Sequence, residues 1–374
     1  MSLAPAHADL AHRLDQASVR ADELGLTALL VTPGADLRYL TGYDAVPLER
    51  LTCLVVRGHG GSAVLVVPAL ERPAAEASPV SSLGIEVVTW GETEDPYALV
   101  ARLVGAGERV GLDDRMWAAK VLGLRRAMPG VHQELAGAAI NDLRMRKSGE
   151  EVASLRAAGE AIDRVHAQVP AMLRPGRTEA EVARDIAEAI LAEGHATVDF
   201  TIVASGPHSA SPHHEVSGRT LRVGDPVVVD IGGTMPDGYC SDSTRTYSLG
   251  EPGAEYAEHY AALQEAQWSA VECVRPGIAC EDVDAVARGV LAGSGLGDYF
   301  IHRTGHGIGL ETHEEPYIVA GNALALDPGM VFSVEPGFYV EGRFGARIED
   351  IVACGDSGPL VLNNRPRDLC VVDV

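Results

Sequence analysis

Aromatic residues are scarce: Phe, Trp and Tyr make up 5% of the 374 residues. A base-stacking surface is therefore a poor expectation, and packing must rest on the abundant Ala, Val, Leu and Gly. Basic residues are also in the minority, 30 against 53 acidic, for a formal net charge of −23 at pH 7. A field of that sign repels phosphate backbones and anionic lipid, which argues against nucleic acid and membrane as partners. The six cysteines (positions 53, 240, 273, 280, 354 and 370) are scattered, with no CxxC pair. Neither a metal–thiolate site nor a disulfide framework is supported, and reduced thiols are expected. The longest apolar runs, TALLVT and AVLVV, have strand length and cannot span a bilayer. The opening MSLAPAHADLAHR lacks the apolar stretch of a signal peptide, so the expected location is the cytoplasm.

What is present is a soluble globular mixture, 46% apolar and 22% charged, enough to bury a sizeable core. Leu10, Leu14, Ala17, Ala21 and Leu24 recur at intervals of three or four and predict an amphipathic helix over 10–25. TALLVT, LTCLVVRG and SAVLVVPAL read as strands, and mixed patterns continue to about residue 145, an α/β domain. Ser148 with Glu151 then forms an S-x-x-E capping box opening a long helix that ends at Arg174-Pro175-Gly176. Thr178 with Glu181 caps the next. The same punctuation recurs a hundred residues on: helix 254–274, Arg275-Pro276-Gly277, then helix 280–292. RPGRTEAEV and RPGIACEDV each lead on into strands, TIVASG and PVVVDIGG in one case, MVFSVEPGFYV and GARIEDIVACG in the other. This predicts an internal duplication with a site between two halves that face each other.

The chemistry concentrates in that second region. PVVVDIGGTMPDGYCSDSTRTYSLG reads as a hairpin, with Asp230 closing its first apolar run and Asp242 in its second. One such Asp is an ordinary cap or turn former; two facing each other across a hairpin repel, and a cation between them resolves the repulsion. FSVEPGFYVEGRFGARIED repeats the arrangement with Glu335 and Glu349, either of which alone reads equally as a surface carboxylate on an antiparallel pair. In FIHRTGHGIGLETHEEP, His306 lies between glycines that let the backbone approach closely. His302 and His313 stand four before and seven after it. A single histidine is more often structural; three in twelve residues point to chemistry. Four carboxylates and one imidazole suit Mn²⁺, Co²⁺ or Zn²⁺, and suffice for two ions.

These blocks, VDIGG…SDSTRT, HRTGHGIG…HE, SVEPG and ARIED, together resemble the pita-bread metallopeptidases: aminopeptidase P, prolidase and methionine aminopeptidase, with creatinase as a metal-free relative. RYLTGYDA and ERLTCLVV resemble their N-terminal domain, so the likeness covers nearly the whole chain. It implies an α/β (α+β) protein, with a creatinase/prolidase-like domain over 1–145 and a pita-bread catalytic domain of internal pseudo-two-fold symmetry over 146–374. The family's Asp, Asp, His, Glu, Glu series falls on Asp230, Asp242, His306, Glu335 and Glu349. The spacing of Asp230 and Asp242 is twelve, one longer than usual, which an extra residue in the TMPDG turn explains. By the same resemblance Asp230 chelates one of two divalent ions, Mn²⁺ first among candidates, His306 and Glu335 the other, and Asp242 and Glu349 bridge. A hydroxide between the ions attacks the scissile carbonyl, and Glu335 shuttles the proton. His313 steadies the tetrahedral intermediate. His213, preferred over its neighbour His214, lies near the leaving amine. Tyr339 and Arg347 contact the site, and Thr244 supports it.

The N-terminal domain and His302 favour the proline-specific branch over methionine aminopeptidase. The expected substrates are small peptides with proline in second position, cleaved at the Xaa-Pro bond. Creatinase-like amidinohydrolase and a non-catalytic binding protein are the other classes; both go with lost ligands, and here all five remain. The reading leans to an Xaa-Pro aminopeptidase with Xaa-Pro dipeptidase as the alternative, because Tyr317 stands where some prolidases have Arg and none occurs between His313 and Arg343. Arg343, Arg347, or an arginine of the first domain or a second subunit remains open as the contact to a dipeptide's carboxylate. A homodimer is expected from the resemblance only.

Overall fold

The computed structural model describes residues 7–58 and 60–374, which divide into two compact units at Arg144/Met145. The amino-terminal unit is built on six strands: β1 (Ala28–Val31), β2 (Cys53–Arg57), β3 (Val64–Pro68), β4 (Glu86–Trp90), β5 (Arg109–Leu112) and β6 (His132–Leu135). Between them run helices α1 (His7–Glu23), α2 (Ala35–Thr41), α3 (Arg72–Ala77), α4 (Pro96–Val104), α5 (Ala118–Ala127) and α6 (Gly137–Met145). The strand order is β4-β3-β2-β1-β5-β6. The β1–β2 and β2–β3 pairs are antiparallel and the others parallel. Leu30, Val55 and Val66 pack with Val100 and Leu124 of α4 and α5, and the intervening Leu29, Val31 and Leu54 are equally buried. Both faces of the central strands are thus covered, which is why they read as unbroken apolar runs rather than as alternation.

The carboxy-terminal unit repeats one plan twice. In its first half α7 (Gly149–Met172) and α8 (Glu179–Ala192) precede β7 (Thr197–Ser205), β8 (Pro226–Thr234) and β9 (Cys240–Leu249). In its second, α9 (Ala254–Cys273) and α10 (Cys280–Gly293) precede seven strands. These are β10 (Gly305–Gly307), β11 (Glu314–Ile318), β12 (Val331–Val334), β13 (Gly337–Val340), β14 (Phe344–Arg347), β15 (Asp350–Cys354) and β16 (Pro359–Val361). The last strand, β17 (Cys370–Val372), returns to pair in parallel with β9. Sheet orders are β17-β9-β8-β7 and β11-β10-β12-β15-β16, with β13–β14 as a two-stranded ribbon.

The two RPG turns have the same hydrogen bonds. Gly176 N–H donates to the Leu221 carbonyl (3.0 Å) as Gly277 N–H does to Leu326 (2.8 Å), and Leu221 and Leu326 return bonds to Arg177 and Ile278. Both glycines take left-handed φ, 94° and 87°, a conformation costly for other residues. Nine residues beyond Leu221 lies Asp230, and nine beyond Leu326 lies Glu335. The duplication therefore delivers one carboxylate to the same place from each half. Ser148–Glu151 and Thr178–Glu181 both close reciprocal capping boxes, each cap worth roughly 1 kcal/mol. Val182, Ile186 and Ile190 of α8 pack on Val227, Val229 and Ile231 of β8. Val283, Ala287 and Leu291 of α10 share a core with Phe332 and Val334 of β12. Fully burying a side chain of Val or Leu size stabilises by roughly 1.5–3 kcal/mol.

The sequence predicts MVFSVEPGFYV and GARIEDIVACG as two continuous strands, and here the structure differs. Each is interrupted at a glutamate, giving β12 and β13 on one side and β14 and β15 on the other. The register is unbroken: Val334 faces Asp350 and Gly337 faces Arg347 across one antiparallel pairing. Pro336 has no N–H for the ladder. Glu349 N–H leaves it to donate to the Thr244 carbonyl of β9 (3.1 Å). Among the described residues no helix is long and apolar enough to cross a membrane, and all six cysteines are free.

Candidate metal centre

Strand pairing dictates which side chains meet. In the first half, Ile202, Asp230 and Thr244 form one cross-strand row and Phe200, Gly232 and Asp242 the next row on the same face. Asp230 and Asp242 are thus diagonal neighbours. The turn 235–239, closed by Met235 and Tyr239, absorbs the longer spacing without changing that face. Gly232 is required because a Cβ there would meet the Phe200 ring at 2.5 Å. In the second half Glu335 and Glu349 stand opposite each other at the interruption of β12–β15. His306 comes from β10, squeezed between β11 and β12. A Cβ at Gly305 would collide with the Ser333 carbonyl and one at Gly307 with the Glu315 carbonyl. The flanking glycines therefore seat His306 among the carboxylates.

All five predicted ligands line one cavity of about 900 Å³, with His213, His302, Arg303, His313 and Arg347 around them. Asp230, Asp242, His306 and Glu349 are buried, at 8%, 4%, 3% and 1% exposure. Candidate ligand atoms fall within 4.8 Å of one another in overlapping groups, Asp230–Asp242–Glu349 and His306–Glu335–Glu349, with Asp242–His306–His313 a third. Burial, then repulsion by Glu349, Asp230 and Glu335, holds the Asp242 carboxyl well above the ordinary range. Glu349 is raised likewise, by burial and then by Glu335 and Asp230. Burial pushes Glu335 up too, but its hydrogen bond to His306 and the charges of His306, His302 and Arg347 outweigh this and bring it to about 2.

Three observations show that these residues fit divalent metal. Asp230 Oδ1 and Glu349 Oε1 are buried without any hydrogen-bond partner, a costly state that a cation relieves. His306 Nδ1 lies 3.1 Å from the Gly307 carbonyl, an acceptor only, so Nδ1 carries the hydrogen. Nε2 then points at Glu335 Oε1 (3.1 Å) and Asp242 Oδ2 (3.7 Å), which demands either a second proton or a metal ion between them. Lastly, the partners behind the ligands are in place. Thr244 Oγ1 donates to Glu349 Oε2 (2.8 Å), and Arg347 donates to Asp230 Oδ2 (2.5 Å), Tyr339 Oη (2.8 Å) and Thr244 Oγ1 (3.1 Å).

The remaining predicted residues separate into two groups. His213, His302, His313 and Arg347 line the cavity; Tyr339 does not, its hydroxyl instead tying His302 Nε2 (2.8 Å) to Arg347. The neighbouring histidines divide, His213 into the cavity and His214 onto Glu179 (2.9 Å). The His313 ring lies 3.9 Å from that of His306. Its protonation is disfavoured by desolvation, then by His306 and Arg303. Sequence reasoning missed Phe200, Ile202, Ile301 and Thr312 in the lining, which only strand register or tertiary packing reveals. It also passed over Arg303, although that residue sits inside the HRTGHG block.

The pattern of metallopeptidase family M24 matches residues 153–356 and that of the creatinase/prolidase N-terminal domain residues 13–146. The chain belongs to metallopeptidase family M24, whose members use divalent metal ions. It is 55% identical over 365 residues to the probable dipeptidase PepE of Mycobacterium tuberculosis, covering 97% of each chain. The crystal structure of dipeptidase PepE from Mycobacterium ulcerans superposes with a TM-score of 0.96 at 54% identity, over 99% of this chain and 100% of that one. Recombinant prolidase from Thermococcus sibiricus gives 0.90 at 38% identity, over 97% and 99%.

Proposed function

We propose that this chain is a dinuclear metal-dependent peptidase that hydrolyses Xaa-Pro bonds in small peptides. The observation that carries the reading is the single cavity that gathers Asp230, Asp242, His306, Glu335 and Glu349 with His213, His302 and His313 at its wall. Asp230, Asp242, His306, Glu335 and Glu349 would together hold the two ions. When bound, two divalent ions, Mn²⁺ before Co²⁺ or Zn²⁺, supply Lewis acidity that polarises a carbonyl and acidifies water. Glu335, less enclosed than the other carboxylates, accepts a proton on its carboxylate oxygen and passes it to the proline nitrogen as the bond breaks. His313 donates to the developing oxyanion, and His213 and His302 position the substrate about the scissile bond. Arg347 keeps Asp230 and Tyr339 in place and so fixes His302. Phe200, Ile202 and Ile301 offer the apolar wall that a pyrrolidine ring requires.

The same reading takes residues 1–145 as the creatinase/prolidase-like domain and 146–374 as the catalytic one. It includes a homodimer, on family resemblance, and a cytoplasmic location, in keeping with six free cysteines. Of the aminopeptidase and dipeptidase alternatives, Arg303 in the cavity wall favours the dipeptidase. The test is hydrolysis of Ala-Pro, Ala-Pro-Ala and Ala-Leu before and after treatment with a chelator. Chelation abolishes cleavage of the Xaa-Pro bond and Mn²⁺ or Co²⁺ restores it. Full activity of metal-free protein, or Ala-Leu cleaved as fast as both proline peptides, would overturn the proposal.

A further inference from the structure

Two cations line the cavity among the described residues, Arg303 and Arg347. Arg347 is fully engaged: its nitrogens donate to Asp230, Tyr339, Thr244 and the Pro212 carbonyl. Arg343 is outside the lining and paired with Glu255 (2.6 Å). Arg303 is different. Among the described residues its guanidinium has no hydrogen bond and no ion pair; it stacks on the Tyr317 ring, with Cζ 4.3 Å from the centroid. The stack orients the group while leaving its N–H donors unmet, the state in which arginine binds a planar anion in bidentate fashion. In a chain with 53 acidic and 30 basic residues, a half-buried arginine without a carboxylate calls for an anionic ligand.

The position narrows which anion. Arg303 stands three residues before His306, and Thr304 N–H bonds the Ile318 carbonyl (3.0 Å), which clamps this segment to β11 beside Tyr317. The cation is therefore held two residues before β10, the strand that carries His306, within the cavity where the scissile bond must lie. Resting on the Xaa-Pro reading, we propose that Arg303, stacked on Tyr317, binds the free α-carboxylate of the substrate's last residue, so that the chain selects dipeptides. A longer peptide places a neutral amide where the guanidinium requires a charge, and loses the charge-assisted bonds.

Steady-state kinetics on Ala-Pro and Ala-Pro-amide, which differ in that carboxylate alone, test the assignment with the metal-loaded enzyme. The wild type prefers the acid by about ten- to a hundredfold in kcat/KM, mostly through KM. Arg303→Gln collapses the acid-over-amide ratio to within about threefold, and Arg303→Lys, which keeps the charge without the fork, restores part of it. Equal losses on both substrates, an unchanged ratio in either variant, or a wild type indifferent to the carboxylate would overturn the assignment. If the wild type cleaves neither proline substrate, the Xaa-Pro reading fails on its own. Arg303 is then judged by the same ratio on Ala-Leu and Ala-Leu-amide, where no acid preference sinks it as well.

Discussion

Glu179 shows how much a single carboxylate outside the metal centre can organise. Its two oxygens accept from Ser205 N and Oγ (2.9 and 2.6 Å), His208 Nδ1 (3.0 Å), His214 Nε2 (2.9 Å) and Ser217 N and Oγ (3.2 and 2.6 Å). The spacing of Glu179, His208 and His214 resembles a ligand set, but these donors already fill the carboxylate. Burial pushes its pKa up, and the bonds from Ser205, Ser217 and His214 outweigh that, bringing it to about 2. The stabilisation is present above the ordinary carboxylate value of 4.5 and is lost as pH falls towards 2. The loop so pinned carries Ser211, Pro212 and His213 of the cavity wall. Glu179→Gln, whose amide nitrogen faces donors, is expected to destabilise by about 2–4 kcal/mol in urea unfolding. It also raises KM severalfold while lowering kcat less. A cost under about 0.5 kcal/mol would mean that the network contributes nothing beyond exposed polar contacts.

At the scale of elements, the strands hold the ligands only if the two halves stay locked, and Arg245 of β9 with Asp350 of β15 is the lock. Arg245 Nη2 donates to Asp350 Oδ1 (2.7 Å) and the Arg365 carbonyl (2.9 Å), and its other nitrogens reach the carbonyls of Thr244, Glu349 and Pro366. Gln267 of α9 (2.9 Å) and Arg367 (2.5 Å) donate to the other carboxylate oxygen, Asp350 Oδ2. Both charges are buried, so removing Asp350 leaves the Arg245 guanidinium without its carboxylate. Asp350→Ala is expected to cost about 3–5 kcal/mol, and Asp350→Ala with Arg245→Met to recover much of it. A double variant no more stable than the single would show that the unpaired guanidinium is not the cause. These elements were legible in the sequence wherever the cue is local. Capping boxes at Ser148 and Thr178 marked helix starts, and alternation with glycine-rich turns marked the hairpins bearing the ligands. What escaped depends on distant partners. Glu179 lies beside the cap residue Thr178 and offers no local signal, since its donors are 26 to 38 residues away. The break at Glu335 and Glu349 escaped because both flanks keep one strand register. The hydrogen bonds of Tyr339 to His302 and Arg347 are tertiary as well, and no local pattern shows them.

Taken whole, the molecule is strongly acidic, yet its acid sensitivity is set in part by groups that are kept neutral. His166 of α7 is fully buried against β9, with Nε2 3.1 Å from the Ser243 carbonyl and Nδ1 3.0 Å from Tyr247 Oη. The carbonyl can only accept, so Nε2 carries the hydrogen and Nδ1 accepts from the tyrosine. Burial, then the charge of Arg245, drives its pKa from 6.5 down to about 3. His195, buried beside Ser241, is lowered in the same direction. Between pH 6.5 and 3 the unfolded chain binds a proton at position 166 that the folded chain refuses, so stability falls as pH falls through that window. Lowering the pH also discharges the surface carboxylates and relieves the self-repulsion of the −23 net charge, which acts in the opposite sense. The histidine contribution is isolated by comparing wild type with His166→Gln, whose amide N–H can still reach the Ser243 carbonyl. Both are unfolded in urea at a series of pH values, with chelator present so that metal release adds no protons. The variant is less stable at pH 7, and its stability declines between pH 6 and 4 with a slope shallower by about one proton, roughly 1.4 kcal/mol per pH unit. Parallel slopes would show that His166 is protonated in the folded protein, and that the helix α7–strand β9 contact tolerates the charge.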